Sequence, residues 1–389
     1  MPAVEATTPA IRKTALNAVH RQMGAKMVEF NGWDMPVEYP SSGGIIAEHM
    51  AVRTGVGIFD VSHMGDIRLA GRGALAAVQH ISMNDASRLA VGQAQYSALL
   101  YPQGTFVDDV IVHRLGEDEY LLVINAGTRE KDFNWVRDNT RAFDCKVDHL
   151  SDDFTQIAIQ GPKAVDLVQK LTNANLAAVK FYWVTRGTIS LYEKSMRRYL
   201  SDTLIARTGY TAEDGFEIYI PSDEPTSARV WNQLLEVGRE FGVLACGLGA
   251  RNTLRLEGKL PLYGHEISDT INVWEAGLDR FIKMEKPEFI GKGALEKAKA
   301  EGVKKTLVGL EMVERGIARD GYNVLDEAGA EIGYVTSGSP APFLKKNIAL
   351  AYLPPQHAEI GSTVRVEIRG QSVKAQVVPT PFYKRPKKA

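Results

Sequence analysis

Apolar residues along the chain switch between helical and strand-like spacing, which predicts mixed α and β structure. In Thr14–Met27 they recur every three or four positions, the period of an amphipathic helix. Short apolar runs at Tyr120–Ile124 and Gln156–Ile159 predict strands, whereas Lys163–Leu171 and Ala228–Phe241 have helical periodicity. Because helices and strands do not alternate regularly, we expect α+β layers and not a βαβ series.

The pattern changes after about residue 290. From Lys305 onward, Gly, Pro and Asp separate short apolar runs, which is typical of a small β-barrel or sandwich. The strand candidates are Thr306–Glu311, Glu331–Thr336, Ile348–Tyr352 and Ser362–Ile368. We therefore expect a domain boundary near residues 290–305, where a Lys- and Ala-rich helical segment gives way to strands.

Length and composition fit a globular protein of two or three domains. The 389 residues exceed one ordinary core, and 44% are hydrophobic and 24% charged. With 46 basic and 47 acidic residues the net charge is -1, which disfavours wholesale nucleic-acid binding. The sequence contains no run of about 18 apolar residues for a membrane span and no secretory signal. Cys145 and Cys246 are too few for a disulfide framework, so we expect a cytoplasmic protein.

The segment Phe59–Asp66 (FDVSHMGD) places His63 between two carboxylates. This composition raises the possibility of a metal site or of acid–base chemistry. However, no second histidine follows at helical spacing, and nothing else completes a zinc ligand set. We predict that His63 is a buried structural histidine and that the protein binds no metal.

A turn rich in Gly and Pro leads into two adjacent carboxylates, Asp108 and Asp109, at the start of an apolar strand. Neighbours on a strand point to opposite faces, so one of the two faces inward. An inward carboxylate at a strand start is either a turn cap or a catalytic group with a shifted pKa. Spacing alone leaves both interpretations open.

The segment Arg207–Tyr219 contains a tight polar loop between two glycines, followed by a strand in which apolar and polar residues alternate. Glu217 falls on the strand face opposite to Phe216 and Ile218. On the pattern alone, this face is either an ordinary solvated surface or part of a site.

The segment Gly247–Glu257 (GLGARNTLRLE) is a glycine-rich entry to a helix, and a helix N-terminus can bind an anion. It lacks the GxGxxG spacing of a dinucleotide site. Arg251 and Arg255 are one turn apart on the same helical face. They form either a binding face or a surface ion-pair ladder with Glu257.

In this order, the segments resemble the folate-dependent aminomethyltransferase family of the glycine cleavage system over almost the whole chain. The matching stretches are GWDMPVEY at Gly32–Tyr39, FDVSHM at Phe59–Met64, the Asp108–Asp109 pair, GYTAEDGFE at Gly209–Glu217, GLGARNTLRLE, LYGHE at Leu262–Glu266 and TSG at Thr336–Gly338. Two positions depart from the family pattern, because Ala212 replaces the usual glycine and Asn252 the usual aspartate. Both adjoin expected ligands without replacing them.

The resemblance implies an enzyme that takes an aminomethyl group from the dihydrolipoyl arm of the H-protein and transfers the one-carbon unit to tetrahydrofolate. Ammonia and 5,10-methylenetetrahydrofolate are the expected products. It also implies a three-domain cloverleaf around a central folate channel. We expect a first α+β domain from residues 1–50 and 150–290, a second from residues 51–149, and a C-terminal β-barrel at residues 305–389.

The resemblance also carries roles for particular residues. Asp109 matches the family's key acidic residue. The folate-binding positions correspond to Glu217, Arg251, Tyr96, Asn125, Met64 and Tyr210, and to an aromatic near the C-terminus that is Phe382 or Tyr383. A carboxylate such as Glu217 suits the paired N–H donors of the pterin edge, and a guanidinium suits a carbonyl or a carboxylate.

The partner implied by the resemblance is the lipoylated H-protein, which is generally acidic in this family. An acidic partner favours a basic docking surface. The sequence offers two basic clusters, one formed by Lys194, Arg197 and Arg198 and one by Lys384, Arg385, Lys387 and Lys388. We expect the first cluster to contribute more than the tail, which can instead be a solubilising end.

Two other classes share the scaffold. One is a folate-dependent demethylase, either alone or as a domain of a larger dehydrogenase, although no flavin-binding segment precedes the resemblance here. The other is a relative that assists iron–sulfur maturation and carries a K-G-C segment. The equivalent region here, Arg255–Pro261, has no cysteine. We favour the glycine cleavage enzyme.

Overall fold

The computed structural model describes residues 10–193 and 196–386 and has the α+β structure that the sequence predicts. Two open sheets, a closed barrel and a two-stranded ribbon account for the strands of these residues. The α-helices are α1 (Asn17–Gln22), α2 (Gly44–Thr54), α3 (Ala74–Ile81), α4 (Arg129–Asn139), α5 (Ala164–Gln169), α6 (Glu224–Val237), α7 (Leu248–Glu257) and α8 (Lys292–Glu301).

The first open sheet has six strands and separates an apolar core from the middle of the molecule. In spatial order its strands are β10 (Val184–Glu193), β11 (Met196–Ala206), β12 (Gly215–Pro221), β9 (Phe154–Gln160), β3 (Gly57–Asp60) and β13 (Leu244–Ala245). Phe216 and Ile218 on β12 pack into the core with residues of α5 and α6. Tyr219, on the opposite strand face, packs instead with Leu121 of the second sheet. Alternation along β12 therefore turns Glu217 towards that second sheet.

The second open sheet has five strands, in the order β5 (Gln93–Leu100), β6 (Phe106–Gly116), β7 (Glu119–Ile124), β4 (Gly65–Ala70) and β8 (Lys146–His149). Val110 and Val112 of β6 pack with α3 in an apolar core on one face. The intervening residues Asp109, Ile111 and His113 point to the other face. The functional side of this sheet therefore opposes the polar face of β12.

The C-terminal strands close into a barrel, as the sequence predicts. Its strands, in spatial order, are β14 (Thr306–Met312), β17 (Lys346–Leu353), β16 (Glu331–Ala341), β15 (Asn323–Leu325), β18 (Thr363–Ile368) and β19 (Gln371–Val378). All four strand candidates lie in it. The apolar pattern missed β15 and β19, because β15 has only three residues and β19 carries Lys and Gln at intervals along its length.

The first predicted helix is shorter than its apolar spacing suggested. Helix α1 ends at Gln22, and Gly24 then adopts a left-handed φ of 73°, a conformation that glycine tolerates best and that reverses the chain. The last predicted turn instead enters β1 (Lys26–Phe30), which pairs with β2 (Trp33–Glu38). The strands predicted at Tyr120–Ile124 and Gln156–Ile159 and the helices predicted at Lys163–Leu171 and Ala228–Phe241 are confirmed, with bounds shifted by a few residues. The domain ranges stay a prediction.

Within residues 10–193 and 196–386, no helix is long and apolar enough to cross a membrane.

Candidate functional site

A cavity of about 780 Å³, counted with the solvent at its open side, lies where the facing sides of the two open sheets meet α7. The lining residues are Met64, Tyr96, Asp109, Val110, Ile111, His113, Val123, Asn125, Tyr182, Thr208, Gly209, Tyr210, Glu217, Arg251, Leu260 and Pro261. Seven residues singled out in the sequence therefore meet in one cavity, although they come from distant segments.

Asp109 lies on β6 with its carboxylate held by two donors. The Tyr96 hydroxyl donates to Oδ2 at 3.0 Å, and the Asn125 amide donates to Oδ1 at 2.8 Å. Burial, followed by repulsion from Asp108, raises the Asp109 pKa to about 7, although both hydrogen bonds act in the opposite direction. Asp109 can therefore exchange a proton near neutral pH.

Asp108 points away from the cavity and is fully buried. Its carboxylate accepts hydrogen bonds from the backbone N–H groups of Asp109 at 2.9 Å and Asn125 at 3.3 Å. The sequence left open whether the inward carboxylate is a turn cap or a catalytic group. In the structure Asp108 has the contacts of a cap, and Asp109 is the carboxylate that faces the cavity.

Glu217 faces the cavity from β12, so its strand face is not an ordinary solvated surface. The Thr208 hydroxyl donates a short hydrogen bond to Oε2. Burial raises the Glu217 pKa, while Thr208 and the positive charge of Arg251 lower it. The carboxylate keeps free acceptor capacity towards the cavity, since an ionised carboxylate has about four lone-pair sites.

Arg251 enters the cavity from the first turns of α7. Its guanidinium lies 4.5 Å from the ring centroid of Tyr210, and Nη2 lies 4.0 Å from the Met64 sulfur. The Tyr210 hydroxyl is held by a short hydrogen bond to the Pro261 carbonyl. Burial lowers the Arg251 pKa, and nearby Tyr210 and Glu217 raise it. A cation held by an aromatic face and a thioether, with few hydrogen-bond acceptors, is suited to binding an oxygen of a ligand.

Arg255, one turn later, serves a different purpose. It is buried and donates to Glu266 at 2.7 Å and to Ser337 of β16 at 2.7 Å, so it links α7 to the barrel. Glu257 binds Arg53 of α2 at 2.8 Å. The alternative of a surface ion-pair ladder is therefore wrong.

His63 lies beside the cavity and not in its lining. The ring is buried, stacks edge-on against Phe30, and burial lowers its pKa to about 3, so it is neutral. Asp60, its neighbour in sequence, instead binds Thr14 at 2.6 Å and His20 at 3.0 Å. In the part of the chain that the structure describes, no group of three or more His, Cys, Asp or Glu residues is placed to hold a metal ion.

The two C-terminal aromatic residues are not among the cavity-lining residues. Phe382 packs against the apolar cluster between the barrel and the second sheet. Tyr383 is buried and donates to Glu213 at 2.5 Å, and the Arg53 guanidinium lies 4.0 Å from its ring centroid. Glu213 belongs to the same loop as Gly209 and Tyr210, so Tyr383 touches the back of that loop.

No role was assigned from the sequence to three polar residues of the lining, His113, Tyr182 and Thr208. His113 is fully buried, and neither ring nitrogen has a hydrogen-bond partner among the described residues. Burial lowers its pKa to about 4, so the ring is neutral. The strand period places it on the same face as Asp109, which is a signal that the sequence did contain. Tyr182 lies in an irregular segment and Thr208 lies two residues beyond the end of β11, so the strand period does not place either of them.

The two departures from the family pattern lie behind the cavity. Ala212 adopts a left-handed φ of 60° in the loop that carries Tyr210. Asn252 accepts a hydrogen bond from Arg255 at 2.9 Å. Neither side chain lines the cavity.

The two basic clusters lie at different distances from the cavity. Lys194, Lys387 and Lys388 fall outside the described residues. Arg198 is ten residues from the cavity-lining Thr208, so an extended strand puts them roughly 30 Å apart. In contrast, the Arg385 guanidinium lies 5.5 Å from the ring centroid of exposed Phe181, which precedes the cavity-lining Tyr182.

Two protein-family models match the chain. The GCVT N-terminal domain matches residues 16–286, and the glycine cleavage T-protein C-terminal barrel domain matches residues 305–384.

Curated relatives and a solved structure extend over nearly the full length. The chain is 70% identical to an aminomethyltransferase of Koribacter versatilis, covering 100% of this chain and 99% of that protein. It is 65% identical to an aminomethyltransferase of Acidobacterium capsulatum, covering 97% and 98%. The crystal structure of the glycine cleavage system aminomethyltransferase T from Bartonella henselae aligns with a TM-score of 0.87 at 32% identity, covering 96% of this chain and 98% of that chain.

Proposed function

The chain belongs to the glycine cleavage T-protein family and is an aminomethyltransferase, and from this premise we propose that its cavity binds tetrahydrofolate and that Asp109 acts in the one-carbon transfer. The observation that carries the proposal is the meeting of Asp109, Glu217 and Arg251 in one cavity. An acid–base group, an acceptor for N–H donors and a cation are the groups that this substrate needs.

The polar groups of the cavity complement a reduced pterin. Its ring N–H and exocyclic amino group form a two-donor edge, and the Glu217 carboxylate offers two acceptor oxygens. Arg251 donates to the pterin carbonyl from the neighbouring helix. Tyr96 and Tyr182 provide aromatic walls for the rest of the folate, and the Tyr96 ring lies 4.6 Å from that of Phe281.

During the transfer the methylene carbon gains two bonds and loses two. Two C–N bonds form between the methylene carbon and two folate nitrogens, while the bonds from that carbon to the ammonia nitrogen and to the lipoyl sulfur break. The two protons lost by the folate nitrogens leave with ammonia and with the dihydrolipoyl thiol. A carboxylate at the reacting nitrogen can accept one of these protons and stabilise iminium character on the carbon.

Asp109 fits this role because its pKa of about 7 matches the working pH. Tyr96 stays protonated, since burial and the nearby Asp109 charge raise its pKa well above the ordinary value. It therefore remains a donor that orients the carboxylate throughout the reaction.

For the partner, we propose that lipoylated H-protein docks at a surface defined here as the mouth patch, which consists of Lys180, Phe181, Lys384 and Arg385. All four residues are exposed. Lys180 and Phe181 directly precede Tyr182 at the cavity, and the Arg385 guanidinium lies 5.5 Å from the Phe181 ring centroid. Phe181 and Tyr182 stack edge-to-face at 4.8 Å, which continues the aromatic wall to the surface. A basic rim around an apolar anchor suits an acidic partner that delivers a narrow arm.

The test is an assay of the purified protein with aminomethylated H-protein and tetrahydrofolate, in which ammonia and methylenetetrahydrofolate are both quantified. Equal amounts of the two products, dependent on both substrates, support the proposal. Ammonia release that does not depend on tetrahydrofolate would contradict the folate role. One-carbon transfer from a methylated amine, with none from the H-protein, would favour the demethylase alternative.

A further inference from the structure

A second buried carboxylate stands directly behind the cavity. Asp108 is fully buried and accepts four hydrogen bonds through its two oxygens. Oδ1 receives the Asn125 side-chain amide at 2.7 Å and the Asp109 N–H at 2.9 Å. Oδ2 receives the Thr128 hydroxyl at 2.6 Å and the Asn125 N–H at 3.3 Å. Backbone and side chain of Asn125 are therefore both fixed by Asp108.

The same Asn125 amide connects Asp108 to the cavity. Its Nδ2 lies 2.7 Å from Asp108 Oδ1 and 2.8 Å from Asp109 Oδ1, so it bridges the two carboxylates. An amide group has two N–H donors, and this arrangement uses both. With Asp108 in place, Asn125 has only one orientation that satisfies both acceptors.

A third carboxylate completes the buried group. Asp132 of α4 is fully buried near Asp108, and Lys131 Nζ lies 2.9 Å from its Oδ1. Burial and then the Asp108 charge raise the Asp132 pKa well above its ordinary value. Asp108 is the member of this group whose oxygens accept from the side chains of Asn125 and Thr128.

We propose that Asp108 is a positioning residue for the transfer reaction, which acts through Asn125 to hold the Asp109 carboxylate in the orientation that meets the folate nitrogen. The inference rests on the proposed role of Asp109. Asp108 does not touch the cavity, so its removal changes the turnover rate and not the affinity for folate. Misplacing a reacting group by about 1 Å can cost about 100-fold in rate.

Asp108 also contributes its charge to the surroundings of Asp109. The other groups that face or approach Asp109 are Tyr96 from β5, Asn125 after β7, and Tyr182 and Tyr210 from the opposite side of the cavity. Asp108 adds a negative charge to these surroundings, and after burial it is the largest cause that raises the Asp109 pKa. A neutral residue at position 108 should therefore move the acid limb of the pH–rate profile to lower pH.

The test compares Asp108→Ala with Asp108→Asn, using steady-state kinetics from pH 5.5 to about 8.5 around the neutral working range. Alanine removes every acceptor, and we expect kcat to fall about 10- to 100-fold with the KM for tetrahydrofolate within about 2-fold. Asparagine keeps one oxygen for Asn125 and should restore most of kcat, but its acid limb should lie below that of the wild type.

The outcomes separate this inference from the proposed function. If Asp108→Ala keeps the wild-type kcat while Asp109→Asn is inactive, only the positioning role fails. If Asp109→Asn is fully active, the proposed role of Asp109 fails as well. Should the alanine variant not fold by circular dichroism, the asparagine variant decides: a wild-type kcat with an unmoved acid limb overturns the inference, and a lowered limb supports it.

Discussion

Ala212 shows how one methyl group can strain a functional loop. Its φ of 60° lies in the left-handed region, where an L-residue pays about 1–2 kcal/mol. Its Cβ lies beside Gly258, where only a residue without a Cβ fits, since an added Cβ would lie 2.8 Å from that of Ala212. Glycine would relieve the strain but would add about 0.4–1 kcal/mol of chain entropy to the unfolded state.

We therefore expect Ala212→Gly to stabilise the protein by roughly 0.5–1 kcal/mol, because the relieved strain exceeds the entropy cost. Differential scanning calorimetry should show a Tm higher by about 1–3 °C. Gly329→Ala is a control in the opposite direction, because it places an L-residue at a left-handed φ of 88° in an exposed turn. It should lower Tm. An unchanged or lower Tm for Ala212→Gly would mean that the loop relaxes without strain.

Asp109→Asn should fold normally and bind folate but lose most of its turnover. Loss of one well-placed charged group commonly costs about 10²–10³ in kcat. The wild-type acid limb should lie near pH 7, since kcat rises as Asp109 ionises, and this limb should disappear in the variant. Steady-state kinetics with saturating H-protein gives both kcat and the position of the acid limb.

The matched control for this prediction is Asp118→Asn, in the exposed turn after β6. Near-wild-type activity of Asp109→Asn would remove Asp109 from the mechanism.

Glu217→Ala should weaken folate binding, because it leaves two pterin donors without acceptors. An unpaired buried donor costs about 1–3 kcal/mol. Titration with tetrahydrofolate, followed by quenching of tryptophan fluorescence, measures Kd directly. Glu359→Ala on the barrel surface should leave Kd unchanged. A wild-type Kd for Glu217→Ala would show that the carboxylate does not contact the pterin.

At the scale of elements, the C-terminal segment fastens the loop that carries Tyr210. Tyr383 donates to Glu213, its backbone N–H donates to the Glu257 carbonyl at 2.8 Å, and Arg385 lies 3.5 Å from Asp214. The Arg53 guanidinium lies against the Tyr383 ring and forms ion pairs with the buried side chains of Glu213 and Glu257. The tail therefore affects the cavity through this loop, although neither Phe382 nor Tyr383 lines it.

Removing the Tyr383 hydroxyl should loosen this fastening. Tyr383→Phe leaves buried Glu213 with Arg53 as its remaining strong partner, and a hydrogen bond to a charged group contributes about 1.5–3 kcal/mol. We expect Tm to fall by several degrees and limited proteolysis to cut the loop at residues 209–214 faster. Tyr199→Phe, on an exposed strand, should change neither quantity. If Tyr383→Phe has the wild-type Tm, the hydroxyl does not fasten the loop.

Sequence patterns predicted the elements better than their contacts. The period of two along β12 was enough to separate Glu217 from the apolar core, and the same period on β6 separated Asp109 from Asp108. The length of α1 was overestimated, because apolar spacing does not register the left-handed turn at Gly24. The short strand β15 was missed, because its pairing on both sides depends on the closed barrel.

At the scale of the whole molecule, the site depends on how separate units face each other. The cavity forms between the two open sheets, and no local pattern encodes which faces meet. The family resemblance supplied the expectation that Asp109, Glu217 and Arg251 share a site. It did not reveal Asp132, because a buried carboxylate on α4 resembles an ordinary helix-start acid until the packing against Asp108 is known.

The geometry also reverses the order in which we expect the basic clusters to contribute to docking. A lipoyl arm must reach the cavity, and the mouth patch adjoins Tyr182, whereas Arg197 and Arg198 lie roughly 30 Å along the strand from Thr208.

We expect the double variant Lys180→Gln/Lys384→Gln to raise the KM for H-protein several-fold at low salt, because charge steering acts on association. The effect should fade at physiological ionic strength, where the screening length is about 8 Å. The KM for tetrahydrofolate should not change, since Arg385 and its contact with the loop remain.

The matched control is the double variant Arg197→Gln/Arg198→Gln, which removes the same amount of charge. We expect it to change the KM for H-protein little. A larger effect from that control would place docking at the hairpin of β10 and β11, and no effect from either variant would exclude steering by both clusters.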